Sequence, residues 1–321
     1  MDSQNKNRTE IYRKDRSAEN LFEIMNKALI STEKEFIEGF DVPIHPVIFI
    51  VGAQRSGTTL LMQLMTQYFA LSYPNNFIAR YWDVPFVGAM LYKSLSKDIV
   101  VEKPNLNSDL GYTQGIEGPH EFGYFWRKWL PWESWEEKND SQMDYTVFKK
   151  QLAAWESINN TPIIFKNLIQ VDFNILTIKE ILPNAVFIFL ERDLVYNVQS
   201  TYQSRLRLFG DDREWFGVKP PRFHEYQKLP VLEQIACQII DTNHAIREQL
   251  DKGGDCDAVT VSYENLILNP KAELDRIGKK LHLELKDNVD CFEAEVTSGN
   301  SVKVDRAIFE KIEKICKKMK R

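Results

Sequence analysis

Apolar positions along this chain fall into two alternating kinds of run. Four runs are short, nearly free of charge and rich in β-branched or aromatic residues: Pro43-Ile-His-Pro-Val-Ile-Phe-Ile-Val51, Thr161-Pro-Ile-Ile-Phe-Lys166, Ala185-Val-Phe-Ile-Phe-Leu190 and Ala258-Val-Thr-Val-Ser262. Runs of this length and make-up predict buried strands. Around them, apolar residues recur at helical spacing. Leu21, Ile24, Met25 and Leu29 share one face of a helix predicted over Ser17 to Ile30. Further helices are predicted over Leu60 to Tyr68, Asp172 to Ile181, Val195 to Leu208, and Leu232 to Leu250, the last stopped by Lys252-Gly-Gly254. Asn269-Pro270 predicts another helix start, because Asn caps well and Pro is tolerated at the first helical position. Strands alternating with helices predict an α/β fold: a P-loop-like parallel sheet flanked by helices on both faces.

Two stretches depart from the alternation. Residues 1–16 are polar and mixed in charge, which predicts a flexible arm, so that 1–45 reads as arm and helix and 46–321 as a single domain. Tyr112 to Trp135 is crowded with aromatic rings and predicts an insertion lying over the sheet's edge.

Composition narrows the function. A hydrophobic content of 43% supports a sizeable core, and the net charge of −5 argues against a general nucleic-acid binder. The four cysteines, Cys237, Cys256, Cys291 and Cys316, have no metal-ligand spacing and no cluster of histidines near them. They read as free thiols of a reducing compartment, and no metal site is expected. The N-terminus shows no apolar segment of the signal-peptide type and no run is long enough to span a membrane, so a cytoplasmic location is expected.

The chemistry is concentrated after the first strand. Gly52-Ala-Gln-Arg-Ser-Gly-Thr-Thr59 has the strand–loop–helix layout of an anion loop. Its glycines let backbone N–H groups curl around an anion, the following helix start adds partial positive charge, and Thr58 and Thr59 add hydroxyls. The loop of triphosphate enzymes carries Lys where Thr58 stands, whereas the basic residue here is Arg55, inside the loop. A donor with fewer charges than a triphosphate is expected. A second basic position, Arg192, follows the third strand, where open α/β sheets bind ligands, and Ser200 lies eight residues further on.

Arg55-Ser-Gly-Thr-Thr-Leu60 resembles the 5′-phosphosulfate loop of the PAPS-dependent sulfotransferases, where PAPS is 3′-phosphoadenosine 5′-phosphosulfate. The resemblance is to the bacterial type with an Arg-Ser-Gly-Thr-Thr loop, and it runs from residue 46 to about 303. It implies transfer of a sulfuryl group from PAPS to a hydroxyl or amine, leaving PAP, with no metal. It implies that Arg55, Ser56, Gly57, Thr58 and Thr59 hold the phosphosulfate. Arg192 and Ser200, at the family's spacing, would hold the 3′-phosphate. The turn after Arg192 departs from the family, with Leu194, Val195 and Tyr196 in place of a Pro-containing sequence. Ser262-Tyr-Glu-Asn-Leu266 resembles a family segment whose tyrosine, here Tyr263, lines the nucleotide site, and Ser298 and Lys303 are candidates for a C-terminal anion-contacting loop.

In-line sulfuryl transfer needs a group that takes the acceptor's proton and groups that stabilise the leaving oxygen. Lys166, which ends the second strand, and Arg55 are expected to stabilise the leaving group. The base is expected in Gly115-Ile-Glu-Gly-Pro-His-Glu-Phe122, with His120 or Glu121 favoured and Glu117 nearby. Tyr124, Phe125, Trp126, Trp129, Trp132 and Trp135 either line an acceptor pocket or form the insertion's own core. Rings facing the site would imply a small-molecule acceptor with an apolar, lipid-like portion. Two alternatives stay open at this point: a magnesium-dependent phosphotransferase or NTPase, and a nucleotide-binding module without catalysis.

Overall fold

The computed structural model describes residues 5–97, 106–130, 143–254, 258–287, 289 and 296–319. Helix α1 (Arg16–Ile37) leads into β1 (Val47–Val51) and then, across the anion loop, α2 (Thr58–Tyr68). After α3 (Pro85–Leu95) come the hairpin strands β2 (Ser108–Asp109) and β3 (Tyr112–Thr113), α4 (Gly123–Trp129) and α5 (Thr146–Asn159). The chain returns to the sheet as β4 (Ile163–Lys166), then passes through α6 (Leu168–Val171) and α7 (Ile175–Ile181) to β5 (Ala185–Glu191) and α8 (Leu194–Phe209). The remainder is α9 (Phe223–Tyr226), α10 (Val231–Lys252), β6 (Ala258–Ser262), α11 (Tyr263–Leu268), α12 (Pro270–Leu281) and α13 (Arg306–Met319). Among the described residues, no helix is long and apolar enough to cross a membrane.

The main sheet has the order β4-β1-β5-β6, with every neighbouring pair parallel. Alternation along its strands sends side chains to two separate cores. Val47, Phe49 and Val51 of β1, with Phe187 and Phe189 of β5, face the cluster that holds α4, α5 and α7. Ile48 and Ile50, with Ile188 and Leu190, face α2 and α12 on the other side. Helices therefore cover both faces, as the uncharged strands require. The cap at Asn269 forms as expected, its side chain accepting from Ala272 N–H with Pro270 at the first helical position.

Two expectations are corrected. The aromatic insertion lies on a face of the sheet rather than over its edge. Phe125 and Trp126 are fully buried, and the Trp126 ring stands edge-on to Phe165 at 4.9 Å and to Phe49 at 5.5 Å. Burial of that much apolar area outweighs any edge position. Trp132 and Trp135 lie outside the described residues. Helix α1 is longer than predicted, and its predicted apolar face is not its buried one. Leu21 and Ile24 are exposed, while Asn26 and Glu33 are buried. The Asn26 carboxamide donates to the Arg80 carbonyl and accepts from Asp83 N–H, both at 2.8 Å. Glu33 accepts from the Phe86 and Val87 N–H groups at the start of α3. Backbone groups that a helix start leaves unpaired thus choose the docking face of α1 over its hydrophobic pattern.

The segment predicted as a free arm is tied down as well. Residues 5–12 form two short 3-10 turns, and Thr9 N–H donates to the Leu208 carbonyl at 2.8 Å.

The core assignment of Trp126 has a direct consequence. Trp126→Ala should lower unfolding free energy by about 3–5 kcal/mol, as for other buried aromatic truncations, in a urea or thermal titration. An unchanged midpoint would contradict the packing described here.

Candidate active site

The anion loop leaves β1 at the carboxyl end of the sheet and is shaped by two glycines with positive φ. A Cβ on Gly52 (φ 151°) would stand 2.4 Å from the Leu190 carbonyl oxygen, and one on Gly57 (φ 107°) 2.5 Å from the Tyr263 ring. Arg55 itself takes the left-handed conformation, φ 64°. Gly57 caps α2 with no side-chain hydrogen bond, so the N–H groups of the first turn are left to a ligand. Beneath the loop, Asp172 is fully buried and accepts from Gly52 N–H at 3.3 Å. Burial holds its carboxyl well above the ordinary range. It anchors the loop in a form that favours neutrality, adding little negative charge where an anion must sit.

The loop forms one wall of a cavity of about 360 Å³. Arg192, from the end of β5, reaches back to it. Its Nη1 donates to the Arg55 carbonyl at 3.0 Å, its Nε donates to Asn300 Oδ1 at 2.8 Å, and its guanidinium lies 4.5 Å above the centre of the Tyr263 ring. The Tyr263 hydroxyl accepts from Gly299 N–H at 2.9 Å, which fixes the C-terminal loop against the same wall. Arg55 Nε donates to Ser200 Oγ at 3.2 Å. Burial, with the charges of Arg192 and Arg207 added, pushes the Arg55 pKa down to about 10, so the side chain stays cationic at neutral pH.

At the other end of the cavity, Lys166 projects from the last residue of β4. It is 4% exposed, and its Nζ donates to Thr59 Oγ1 at 2.9 Å and pairs with Glu121 Oε1 at 2.5 Å. Loss of hydration raises the Glu121 pKa, but the charge and hydrogen bond of Lys166, with Arg55 behind it, outweigh that effect and leave it lowered. Glu121 is therefore a carboxylate at neutral pH. The Asn167 side chain donates to the Glu121 carbonyl at 3.2 Å and caps α6, which fixes the backbone that carries the glutamate.

The structure brings Arg55, Gly57, Thr58, Thr59, Glu121, Lys166, Arg192, Ser200, Tyr263 and Lys303 to the wall of one cavity. Four expected polar residues are not on that wall. His120 is turned away, and its Nδ1 accepts from Phe122 N–H at 2.9 Å. Loss of hydration pushes its pKa down to about 4, so it is a neutral imidazole whose lone pair is engaged. Ser56 is buried, its hydroxyl turned back under the loop beside Gly52. Ser298 is exposed and accepts from Asn300 N–H within its own turn, while Gly299 meets the cavity instead. Glu117 is bound by the hydroxyl of Tyr92 and is likewise absent from the wall. The rings of Tyr124, Phe125, Trp126 and Trp129 do not reach the cavity either.

Several wall residues were not expected. Gln203, Ser204 and Arg207 follow Ser200 at three, four and seven residues, a single helical stripe of α8 that periodicity alone would have revealed. Leu110 and Gly111 occupy the turn between β2 and β3, and Leu60, Leu168 and Phe216 add apolar surface. Nothing local in the sequence marks Phe216.

A parallel α/β sheet carries, at its carboxyl edge, a glycine loop with Arg55 inside it and a second arginine, Arg192, beside it. The chain belongs to the Sulfotransferase family, whose profile matches residues 46–287. It is 26% identical over 269 residues to omega-hydroxy-beta-dihydromenaquinone-9 sulfotransferase Stf3 of Mycobacterium bovis, and equally to Stf3 of Mycobacterium tuberculosis. Those alignments cover 77% of this chain and 64% of the relatives, so the chain spans just under two thirds of their length. Two solved structures share the fold. Sulfotransferase STF9 from Mycobacterium avium aligns with a TM-score of 0.54 at 16% identity, over 83% of this chain and 70% of that one. Sulfotransferase STF1 from Mycobacterium tuberculosis aligns with a TM-score of 0.56 at 14% identity, over 85% and 76%.

The close approach of Gly57 to Tyr263 yields a second expectation. Gly57→Ala should strain the loop and lower unfolding free energy by about 1–3 kcal/mol. Thermal or urea unfolding of the variant checks this, and a wild-type midpoint would contradict the loop geometry.

Proposed function

We propose that this chain transfers a sulfuryl group from PAPS to a hydroxyl on an acceptor with an apolar body, with Glu121 as general base. The observation that carries the reading is the chain Thr59–Lys166–Glu121 at the end of the anion loop. It places a hydroxyl, an ammonium and a carboxylate side by side where a donor's bridging oxygen and an incoming hydroxyl would meet. Arg55, with the loop N–H groups, suits the 5′-phosphosulfate, and Arg192, with Ser200, suits the 3′-phosphate.

In this reading the acceptor oxygen attacks sulfur and Glu121 takes its proton. The bond from sulfur to the bridging oxygen breaks, and its electron pair stays on the phosphate of PAP. Lys166 and Arg55 stabilise the charge that develops on that oxygen. The sulfuryl group carries less charge than a phosphoryl group, so the fixed cations suffice. Thr58, standing where triphosphate enzymes have Lys, speaks against a magnesium-dependent phosphotransferase. The paired Glu121 speaks against a module without catalysis.

For the acceptor, support comes from the apolar surface of Leu60, Leu110, Leu168 and Phe216 in the same cavity. It also comes from the relatives named for an omega-hydroxylated menaquinone. A terminal alcohol on a long apolar chain fits both. Screening with radiolabelled PAPS should show transfer to long-chain primary alcohols and none to free sugars, and activity confined to sugars would overturn the acceptor class.

The base assignment makes its own forecast. Glu121→Gln should lower kcat by roughly 10²- to 10⁴-fold while PAP affinity holds. Because the Glu121 pKa is lowered from its ordinary 4.5, the active carboxylate persists through neutrality, and kcat/KM should fall only as the pH drops below about 4.5. A fall centred between pH 6 and 7 would point to a different base.

A further inference from the structure

The hairpin over the reacting groups is too short to hold its own position. Its ladder consists of the pairs Ser108–Thr113 and Asp109–Tyr112, and an isolated two-stranded ribbon is marginal in water even when longer. Its turn nevertheless covers the centre of the site. A Cβ on Gly111 would lie 3.6 Å from Thr59 Oγ1, 3.9 Å from Glu121 Oε1 and 4.0 Å from Lys166 Nζ. Leu110 and Gly111 both take positive φ, 49° and 93°, so the turn is tight and its tip is committed to this place.

The base of the hairpin is held from the body of the protein: Asn76 donates to the Thr113 carbonyl at 3.1 Å and Gln63 to the Asn107 carbonyl at 3.4 Å. The tip side is held differently. The Tyr12 hydroxyl donates to Asp109 Oδ2 at 2.7 Å, and Arg207 Nη2 donates to Asp109 Oδ1 at 2.6 Å and to the Tyr12 oxygen at 3.0 Å. These contacts close a ring of three side chains from three separate segments. Arg207 is itself a cavity residue of α8. Thr9 pins the N-terminal segment to the end of that helix through the Leu208 and Arg207 carbonyls, at 2.8 and 3.1 Å. Arg8 adds a bond to the Tyr112 hydroxyl at 3.3 Å. The N-terminal segment thus bridges the two sides of the cavity mouth.

We propose that Tyr12 is a positioning residue for the transfer: by closing the Asp109–Arg207 pair it holds the Leu110–Gly111 turn over Lys166 and Glu121, and so keeps water from the donor's sulfur. This rests on the reading of the cavity as a PAPS site. The wasteful reaction that the roof suppresses is hydrolysis. There, water's oxygen bonds to sulfur, the bond from sulfur to the bridging oxygen breaks with its electron pair left on PAP, and water's two protons pass to solvent, giving free sulfate. Excluding water from a reactive donor is a recognised task of active-site closure.

The test uses the full chain with Tyr12→Phe and, separately, Asp109→Asn. Sulfate release from radiolabelled PAPS without acceptor is measured beside PAP affinity and thermal unfolding. Loss of hydrogen bonds to charged partners should raise sulfate release by roughly tenfold in Tyr12→Phe, with PAP affinity within about twofold of wild type. A merely structural role would shift the melting temperature and leave sulfate release alone. Unchanged release in both variants, with PAP bound normally, would overturn the proposal. If the wild-type chain binds neither PAP nor PAPS, the donor reading fails by itself. Hydrogen exchange of residues 108–113 then decides the positioning role: faster exchange in Tyr12→Phe supports it, and unchanged exchange overturns it.

Discussion

Among the described residues, five cations, Arg55, Lys166, Arg192, Arg207 and Lys303, line one cavity, and the only carboxylate on its wall is Glu121. Everything else about the site follows from that imbalance. Cations withdrawn from water are destabilising unless something answers them. Arg207 has Asp109 and Lys166 has Glu121. Arg55 and Arg192 are answered by neutral oxygens, those of Ser200, Asn300 and the Arg55 carbonyl. Burial lowers both pKa values, against the raising effect of Asp109 and Glu121 on Arg55 and of Glu264 and Asp193 on Arg192. An anionic ligand would offset that penalty at both arginines.

The fold's part is to bring these groups to one edge without letting water do the neutralising. Parallel strands β4, β1 and β5 end together, so Lys166, the loop after Val51 and Arg192 arrive at the same edge. Gly52 and Gly57 allow the loop to pass within contact of Leu190 and Tyr263. The stripe of α8 then ties the C-terminal loop over the cavity: Gln199 accepts from Lys303 N–H at 2.8 Å and Gln203 donates to its carbonyl at 2.7 Å. The cavity is thus closed by segments far apart in the chain, each held by a few directed hydrogen bonds beside limited apolar packing, that of Leu106, Val296 and Val304. Such segments open more easily than the core, which suits a site that must exchange large ligands.

What was legible in the sequence divides along the same line. The strands, their buried character and the glycine loop could be read, because short uncharged runs and left-handed glycines have local causes. Arg192 and Ser200 are singled out by the family resemblance rather than by position alone, and both lie on the cavity wall. The docking of α1 could not, since Asn26 and Glu33 are chosen by backbone groups of a distant helix start. His120 and Glu121 are neighbours in sequence, yet His120 accepts from the N–H of the left-handed Phe122 while Glu121 pairs with Lys166 on the cavity wall. The roof of Leu110 and Gly111, and the contribution of Tyr12 to it, come from tertiary contacts that leave no periodic trace.

We propose that this cavity takes a 3′,5′-bisphosphate nucleotide without metal rather than a triphosphate. Calorimetric titration of PAP and of ATP, each with excess chelator and again with Mg²⁺, tests it most directly. The account predicts that PAP binds equally well with and without the metal, that ATP binds much more weakly in both conditions, and that Arg192→Ala removes the preference. Tight binding of ATP that requires Mg²⁺, with no preference for PAP, would contradict it.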